Sequence, residues 1–281
     1  MSGRGWLDVA TVPPRRRWLR LAALAALAPI GGCGLWRPVT VPMRTLAEAA
    51  PCAARPDTLL VLLPGSWSMP EEFRREGLVR AVHERRIAAD VLLVDAHVGY
   101  YADRSILERL KADVVEPAHA RGYRHLWLAG ISIGGFGAMI YAEANPQDVD
   151  GVVALAPYLG SRQIAQQINA AGGLAQWTAP AARPQPGEID LILWRWLKLQ
   201  SAVDRPPLFL GYGLDDRFLY SEQLLAAALP PSRVFTAEGG HDWPAWNLLW
   251  PRMLDAMPLP RSSDCAVAAV FYPGRRAHFE Q

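Results

Sequence analysis

The sequence has few cysteines and histidines and no apolar run long enough to span a bilayer comfortably. Three cysteines and six histidines are spread over 281 residues. They do not stand at the spacings typical of zinc and other metal sites. No metal and no other cofactor is predicted.

The sequence also lacks a cluster of basic residues. It contains 29 basic and 27 acidic residues. Five of the arginines and one aspartate fall within residues 1–32, so the remainder carries 24 basic and 26 acidic residues. A nucleic-acid-binding surface needs basic residues grouped on one face or helix, and therefore no nucleic-acid partner is predicted.

Residues 1–32 have the pattern of an export leader. Arg15, Arg16 and Arg17 precede a short apolar run that ends in small residues before Cys33, as in a signal peptide. The ending Ile30-Gly31-Gly32-Cys33 resembles a bacterial lipobox, which implies that Cys33 is acylated and that the protein is held at a membrane of the cell envelope, in the periplasm or at the outer membrane. Cleavage as a plain signal peptide is the alternative, and the export route, general or twin-arginine, stays open.

The segment that follows divides into a linker, a domain and a tail. Residues 33–57 are predicted to be a linker, 58–260 an α/β domain and 261–281 a carboxyl-terminal tail. Cys52 and Cys265 stand near the two ends of this part of the chain. In an oxidising compartment they form either a disulfide or two buried thiols.

Six apolar runs alternate with helical patterns within the domain. Near-continuous apolar strands separated by helices are typical of a mostly parallel sheet with helices on both faces, so a doubly wound α/β fold is predicted. The predicted strands are 58–65, 89–97, 125–130, 151–159, 206–213 and 233–240. The predicted helices are 70–87, 103–121, 134–145, 221–229 and 243–257.

Residues 160–204 are longer than a simple crossover needs and are predicted to form a helical cap inserted over the carboxyl edge of the sheet. The piece EIDLILWRWLKLQ within it is apolar around most of its circumference, which favours burial on more than one side. Two interpretations of Trp177, Trp194 and Trp196 remain open: they pack the cap onto the domain, or they line an acyl pocket.

The stretch Gly130-Ile131-Ser132-Ile133-Gly134 lies between a predicted strand and a predicted helix. Strand, Gly-x-Ser-x-Gly, helix is the nucleophile elbow, whose sharp turn exposes the serine oxygen. A phosphate-binding loop would instead require a lysine, and none is present in the stretch. Ser132 is the predicted nucleophile.

A serine nucleophile needs a base and a carboxylate, which follow it in the chain in this arrangement. Only His241 and His278 lie downstream of Ser132; His241 directly follows a predicted strand and is the predicted base. Asp216 is preferred over Asp215 as the acid on loop spacing. The backbone N–H groups of Ile133 and Ser66 are the expected oxyanion donors, with Trp67 as the alternative to Ser66.

The motifs GISIGGFGAM and GGHDWPAW resemble those of the α/β-hydrolase superfamily. Within it, they are most similar to the esterase group that includes S-formylglutathione hydrolase, enterochelin esterase and the mycolyltransferases. Leu63-Pro64-Gly65 departs from the His-Gly that is usual before the oxyanion loop. The resemblance implies a carboxylic-ester hydrolase that acts on a small-molecule ester or acyl substrate.

Three functions follow from these residues. The first is ester hydrolysis through an acyl-enzyme with Ser132, His241 and Asp216 as a triad. The second is peptide or thioester hydrolysis with the same triad. The third is a catalytically inactive envelope binding protein on this scaffold. The sequence does not indicate a protein partner.

Overall fold

The structure, a computed structural model, describes residues 37–180 and 187–265. Seven strands of these residues form one sheet in the order β1-β3-β2-β4-β5-β6-β7. The strands are β1 Thr45–Glu48, β2 Thr58–Leu63, β3 Asp90–Val94, β4 His125–Ile131, β5 Gly151–Leu155, β6 Leu208–Gly213 and β7 Val234–Ala237.

The helices follow the strands in alternation, and two of the predicted ones are broken. They are α1 Pro70–Arg75, α2 Leu78–Glu84, α3 Val98–Ala102, α4 Ile106–Leu110, α5 Glu116–Ala120, α6 Ile133–Ala144, α7 Arg162–Ala170, α8 Ile189–Val203, α9 Leu219–Ala226 and α10 Trp243–Ala256. A π-helical turn, Lys111–Val115, joins α4 to α5, and a 3₁₀ turn, Pro231–Arg233, precedes β7. The predicted helix 70–87 is interrupted by Gly77, which has φ of 86°, a conformation that glycine adopts readily.

Strands β2 to β7 are parallel to their neighbours, whereas β1 is antiparallel to β3. The predicted doubly wound, mostly parallel fold is therefore confirmed. The prediction of six strands omitted β1, which lies in the segment predicted to be a linker. Its four residues, TLAE, are too few to show a strand pattern, and they are ordered by pairing along β3.

Helices cover both faces of the sheet, which is why the strands are apolar throughout. One face packs against α3 to α9 in a cluster that includes Tyr100, Met139 and Trp194. The other packs against α1, α2 and α10, with Phe73 and Trp250 in the cluster. Because β2 to β7 are parallel, their carboxyl ends lie at one edge of the sheet, which we call the carboxyl edge.

The predicted insertion at 160–204 contains α7 and α8. Trp177 and Trp194 are buried, at 4% and 0% exposure, and the indole N–H of Trp194 donates to the carbonyl of Leu159 at 2.9 Å. Trp196 is half-buried against the same core. These contacts favour the interpretation in which the tryptophans pack the insertion onto the domain.

A disulfide joins the segment that follows β1 to the carboxyl-terminal end of the described residues. Cys52 and Cys265 form a disulfide and pair as an isolated antiparallel bridge. The predicted leader, Cys33, and residues 266–281, including His278, lie outside the described residues. Among the described helices, none has the length and apolar composition that crossing a membrane requires.

We expect replacement of both Cys52 and Cys265 by serine to lower the free energy of unfolding by about 3 kcal/mol, because the disulfide restricts a very large loop in the unfolded chain. The measurement is urea unfolding without reductant. As a control, a thiol reductant should destabilise the wild-type protein and leave the double variant unchanged. Equal stability of the two proteins, with two titratable thiols in the wild type, would refute the cross-link.

Candidate functional site

Ser132 occupies the junction between β4 and α6. β4 ends at Ile131 and α6 begins at Ile133, so the chain turns at a single residue. Ser132 has φ of 55° and ψ of −116°, a conformation that L-residues rarely adopt and that is retained where the surroundings impose it. The strand-turn-helix geometry is that of a nucleophile elbow.

The glycines on either side allow this turn because the backbones approach without room for side chains. A Cβ on Gly130 would overlap the carbonyl of Gly134, and a Cβ on Gly134 would overlap the carbonyl of Leu63 at the end of β2. Gly137 lies against the hydroxyl of Tyr101. The close packing of α6 on β2 and β4 therefore requires glycine at these positions of the motif.

His241 and Asp216 are joined by a hydrogen bond at the same edge of the sheet. The Nδ1 atom of His241 lies 2.8 Å from Oδ2 and 3.0 Å from Oδ1 of Asp216. The Asp216 side chain has no exposed surface, and that of His241 is 10% exposed. Because Nδ1 is engaged by the carboxylate, Nε2 is the ring nitrogen available to another group.

Asp216 is itself held by the turn that follows β6. Its Oδ1 accepts a hydrogen bond from the backbone N–H of Phe218 at 2.8 Å, and its own N–H donates to Gly213 at 3.1 Å. Asp215, the neighbour considered in the sequence, is exposed, and its contact in this turn is a backbone bond to Gly239 at 2.9 Å. The carboxylate that faces the imidazole is thus Asp216.

Two aromatic rings fix the plane of the imidazole. Phe218 and Trp246 each contact His241 edge-on, with ring centroids 5.1 and 5.3 Å away and interplanar angles of 88°. Such edge-to-face pairs add stabilisation beyond area burial. Neither ring is predicted from the sequence to have a role, although both stand close in sequence to the predicted acid and base.

The turn after β2 lies beside Ser132. A Cβ on Gly65 would be 3.7 Å from Cβ of Ser132, and Ser68 N–H donates to the Gly65 carbonyl at 3.1 Å. Among the backbone bonds of the described residues, the N–H groups of Ser66, Trp67 and Ile133 have no acceptor. They are therefore available for an oxyanion.

Ser132 and His241 are connected through Tyr158 and Phe218. The hydrogen bonds between described residues do not include one from Ser132 Oγ to His241. Instead, Tyr158 N–H donates to the carbonyl of Ser132 at 3.1 Å, and the ring of Phe218 packs on both Tyr158 and His241 at 5.6 and 5.1 Å. Catalytic hydrogen bonds are often long in unliganded proteins.

Two further aspartates downstream of Ser132, Asp204 and Asp242, make contacts of their own away from the imidazole. Asp204 follows α8, pairs with Arg233 and lies before β6, at the opposite edge. Asp242 caps the first turn of α10 by accepting from Ala245 N–H at 3.5 Å. In the part of the chain that the structure describes, no three His, Cys, Asp or Glu side chains are grouped as metal ligands.

Glu222 is a buried carboxyl group for which the sequence predicts no role. It lies on α9 with 0% exposure, and neither carboxyl oxygen has a hydrogen-bond partner among the described residues. Burial and, secondly, the charge of Asp216 raise its pKa to about 9. Glu222 is therefore protonated at neutral pH and adds no second negative charge beside Asp216.

The comparisons with known proteins place this geometry on a known fold. No family model and no curated protein matches the sequence. The structure resembles that of S-formylglutathione hydrolase (FrmB) from Staphylococcus aureus, with 15% identity, a TM-score of 0.50, and coverage of 79% of this chain and 98% of that one. It also resembles Est1E from Butyrivibrio proteoclasticus, with 16% identity, a TM-score of 0.51, and coverage of 75% and 91%.

A third similar structure is that of a ferulic acid esterase, at 17% identity and a TM-score of 0.50, covering 76% of this chain and 97% of that one. At such identities the likeness concerns the fold. The chain has the α/β-hydrolase fold, as the sequence resemblance implied. The structural neighbours include members of the esterase group to which its motifs are similar.

We expect Gly130→Ala to destabilise the protein and to disturb the turn at Ser132, because the added methyl group meets the backbone of Gly134. A cost of at least about 1–3 kcal/mol is typical of overpacking, and urea unfolding would measure it. Gly187→Ala is the matched control, since its nearest neighbour would be 3.9 Å away. A Gly130→Ala protein as stable as this control would contradict the close approach.

We expect Glu222→Gln to become progressively more stable than the wild type as the pH rises. The folded state holds the Glu222 proton up to about pH 9, whereas the unfolded chain releases it near pH 4.3. Folding therefore becomes less favourable with rising pH in the wild type, and the amide removes this dependence.

The difference in free energy of unfolding between variant and wild type should change by about 3 kcal/mol between pH 4.5 and 7. Urea unfolding at the two pH values measures it, and the other titrating groups cancel in the difference. A difference that does not vary with pH would show that Glu222 is ionised in the folded protein.

Proposed function

We propose that the protein is a serine hydrolase that cleaves carboxylic esters through an acyl-enzyme. The observation that carries the proposal is the combination, at one edge of the sheet, of a serine held at φ of 55° and an imidazole bonded to a buried carboxylate at 2.8 Å. A strained serine alone, or a His-Asp pair alone, has many structural explanations. Ser132, Asp216 and His241 follow β4, β6 and β7 and lie at the same edge of the sheet. This arrangement is typical of a catalytic triad.

Each of the three side chains has one role in the proposed reaction. Ser132 Oγ attacks the ester carbonyl carbon while Nε2 of His241 accepts the serine proton. Asp216 orients the ring and stabilises the imidazolium. The tetrahedral intermediate then collapses as the carbon–alkoxide bond breaks, and His241 gives its proton to the leaving alcohol. Water attacks the acyl-enzyme by the same route and releases the carboxylic acid.

The oxyanion of each intermediate is held by backbone N–H groups. Ile133 supplies one at the start of α6, and Ser66 supplies the second from the turn beside Ser132. Loss of one such donor costs about 2.7–4 kcal/mol of transition-state stabilisation in enzymes of this kind. Both donors are backbone groups, so the side chains at these positions are free to vary.

Esters are preferred over peptides because the named structural neighbours are esterases and a formylglutathione hydrolase. We further propose that the protein is exported and held in the cell envelope by a lipid on Cys33. The support for this is the sequence pattern of residues 1–33 together with a disulfide between Cys52 and Cys265, which is typical of an oxidising compartment.

The proposal is tested with p-nitrophenyl esters, aminoacyl amides and a fluorophosphonate probe. We expect ester hydrolysis, a covalent adduct at Ser132, and loss of both in Ser132→Ala. Asp216→Asn should lower kcat/KM by about 10⁴-fold, since the amide favours the wrong tautomer of the imidazole.

Asp215→Asn is the matched control, because it changes an adjacent exposed carboxylate that does not reach the ring; its kcat/KM should stay within about twofold of the wild type, as for a surface substitution. Preference for amides would favour the peptidase alternative. A folded protein whose Ser132 is not labelled would favour the inactive binding protein.

A further inference from the structure

The amino-terminal end of the described chain enters the fold at the carboxyl edge. β1 is antiparallel to β3, and its first residue, Thr45, is opposite Val94 at the end of β3. Residues 37–44 must therefore lie at the edge where β3 ends. Thr40 N–H donates to the hydroxyl of Tyr100 at 3.2 Å, and Tyr100 belongs to α3, which follows β3 at that edge.

The side chain of Arg37 binds this end of the chain to the turn beside Ser132. Its Nη2 donates to the carbonyl of Ser68 at 3.2 Å, and its Nη1 pairs with Asp95 at 2.6 Å. Ser68 N–H in turn donates to Gly65 at 3.1 Å. The same Gly65 lies against Ser132. The chain thus emerges from the domain next to the proposed catalytic serine.

Cys33 is four residues before Arg37. A fully extended chain covers at most about 3.6 Å per residue, so four residues of chain span at most about 14 Å. A lipid on Cys33 would therefore hold the carboxyl edge close to the bilayer surface. The opposite edge would then face away from the membrane.

Exposed apolar side chains occur in the two segments that Arg37 connects, residues 37–44 and the turn at residues 65–69. Val41, Trp67 and Met69 are 69%, 63% and 36% exposed; we call these three residues the docking patch. Tryptophan at such a position suits the boundary between headgroups and acyl chains, where its ring is partly apolar and partly polar. The nearby cations are paired, Arg37 with Asp95 and Arg44 with Glu71.

We propose that the docking patch inserts into the bilayer that carries the Cys33 lipid, and that the substrate is an ester-bearing amphiphile of that same bilayer. The lipid supplies one membrane contact and the patch a second, so that the carboxyl edge is held at the bilayer surface. Because Arg37 and Arg44 are paired with carboxylates, we expect docking to depend on apolar insertion rather than on attraction of these two cations to anionic headgroups. The substrate part of the proposal rests on the proposed hydrolase function.

The docking test is hydroxyl-radical footprinting of the lipidated protein in phosphatidylcholine vesicles and of residues 34–281 in buffer. We expect oxidation of Trp67 and Met69 to fall at least fivefold on vesicles. Leu199 and Val203 are the internal controls, because they are 66% and 65% exposed on the part of α8 that leads to the opposite edge. Equal oxidation of Trp67 and Met69 in both samples would overturn the docking.

The substrate test compares p-nitrophenyl palmitate embedded in the vesicles with soluble p-nitrophenyl butyrate. For Val41→Ser/Met69→Ser, we expect the ratio of the embedded-ester rate to the soluble-ester rate to fall about tenfold relative to the wild type. The matched control Leu199→Ser/Val203→Ser should keep the wild-type ratio. The inference would be overturned if the ratio fell equally in both double variants, or if it fell in neither of them.

The two proposals fail in different ways. Footprinting reports docking without turnover, so a protein that docks but cleaves neither ester would count against the hydrolase function alone. A protein that cleaves the soluble ester and is labelled at Ser132, but shows no protection of Trp67 and Met69, would retain the hydrolase function and lose the docking. Vesicles with 20% phosphatidylglycerol should give the same protection; a strong increase would contradict apolar insertion.

Discussion

The close approach of α6 to the ends of β2 and β4 is the constraint on which the site depends. Gly130 and Gly134 leave no room for a side chain between helix and strands, and Ser132 is consequently held at a positive φ. The same approach brings the turn at Gly65 against the serine. The proposed nucleophile and oxyanion donors are therefore positioned by backbone packing, which is more rigid than side-chain contacts alone.

The parallel sheet supplies the rest of the arrangement. Because β4, β6 and β7 end at one edge, the turns that follow them bring Ser132, Asp216 and His241 to the same side of the domain. The imidazole of His241 is fixed by Asp216 and by the rings of Phe218 and Trp246. Burial on α9 and the charge of Asp216 raise the pKa of Glu222 to about 9, so Glu222 is protonated at neutral pH and adds no negative charge beside Asp216.

Much of this could be predicted from the sequence because it depends on local pattern. Apolar runs define β2 to β7, and the glycines around Ser132 define the elbow. β1 could not be predicted, since four residues gain their order only from pairing along β3. Loop spacing from Gly213 favours Asp216 over Asp215, and in the structure this turn directs the Asp216 carboxylate toward the imidazole. The burial of Glu222 depends on α9 packing against the sheet, which no local pattern of residues reveals.

The most direct measurement is a crystal structure of the protein after reaction with a fluorophosphonate. The account predicts a bond from Ser132 Oγ to phosphorus, with the phosphoryl oxygen about 3 Å from the N–H groups of Ile133 and Ser66. It also predicts Nε2 of His241 within hydrogen-bonding distance of the adduct. An adduct on another residue, or a ring of His241 that remains out of reach of the modified serine, would contradict it.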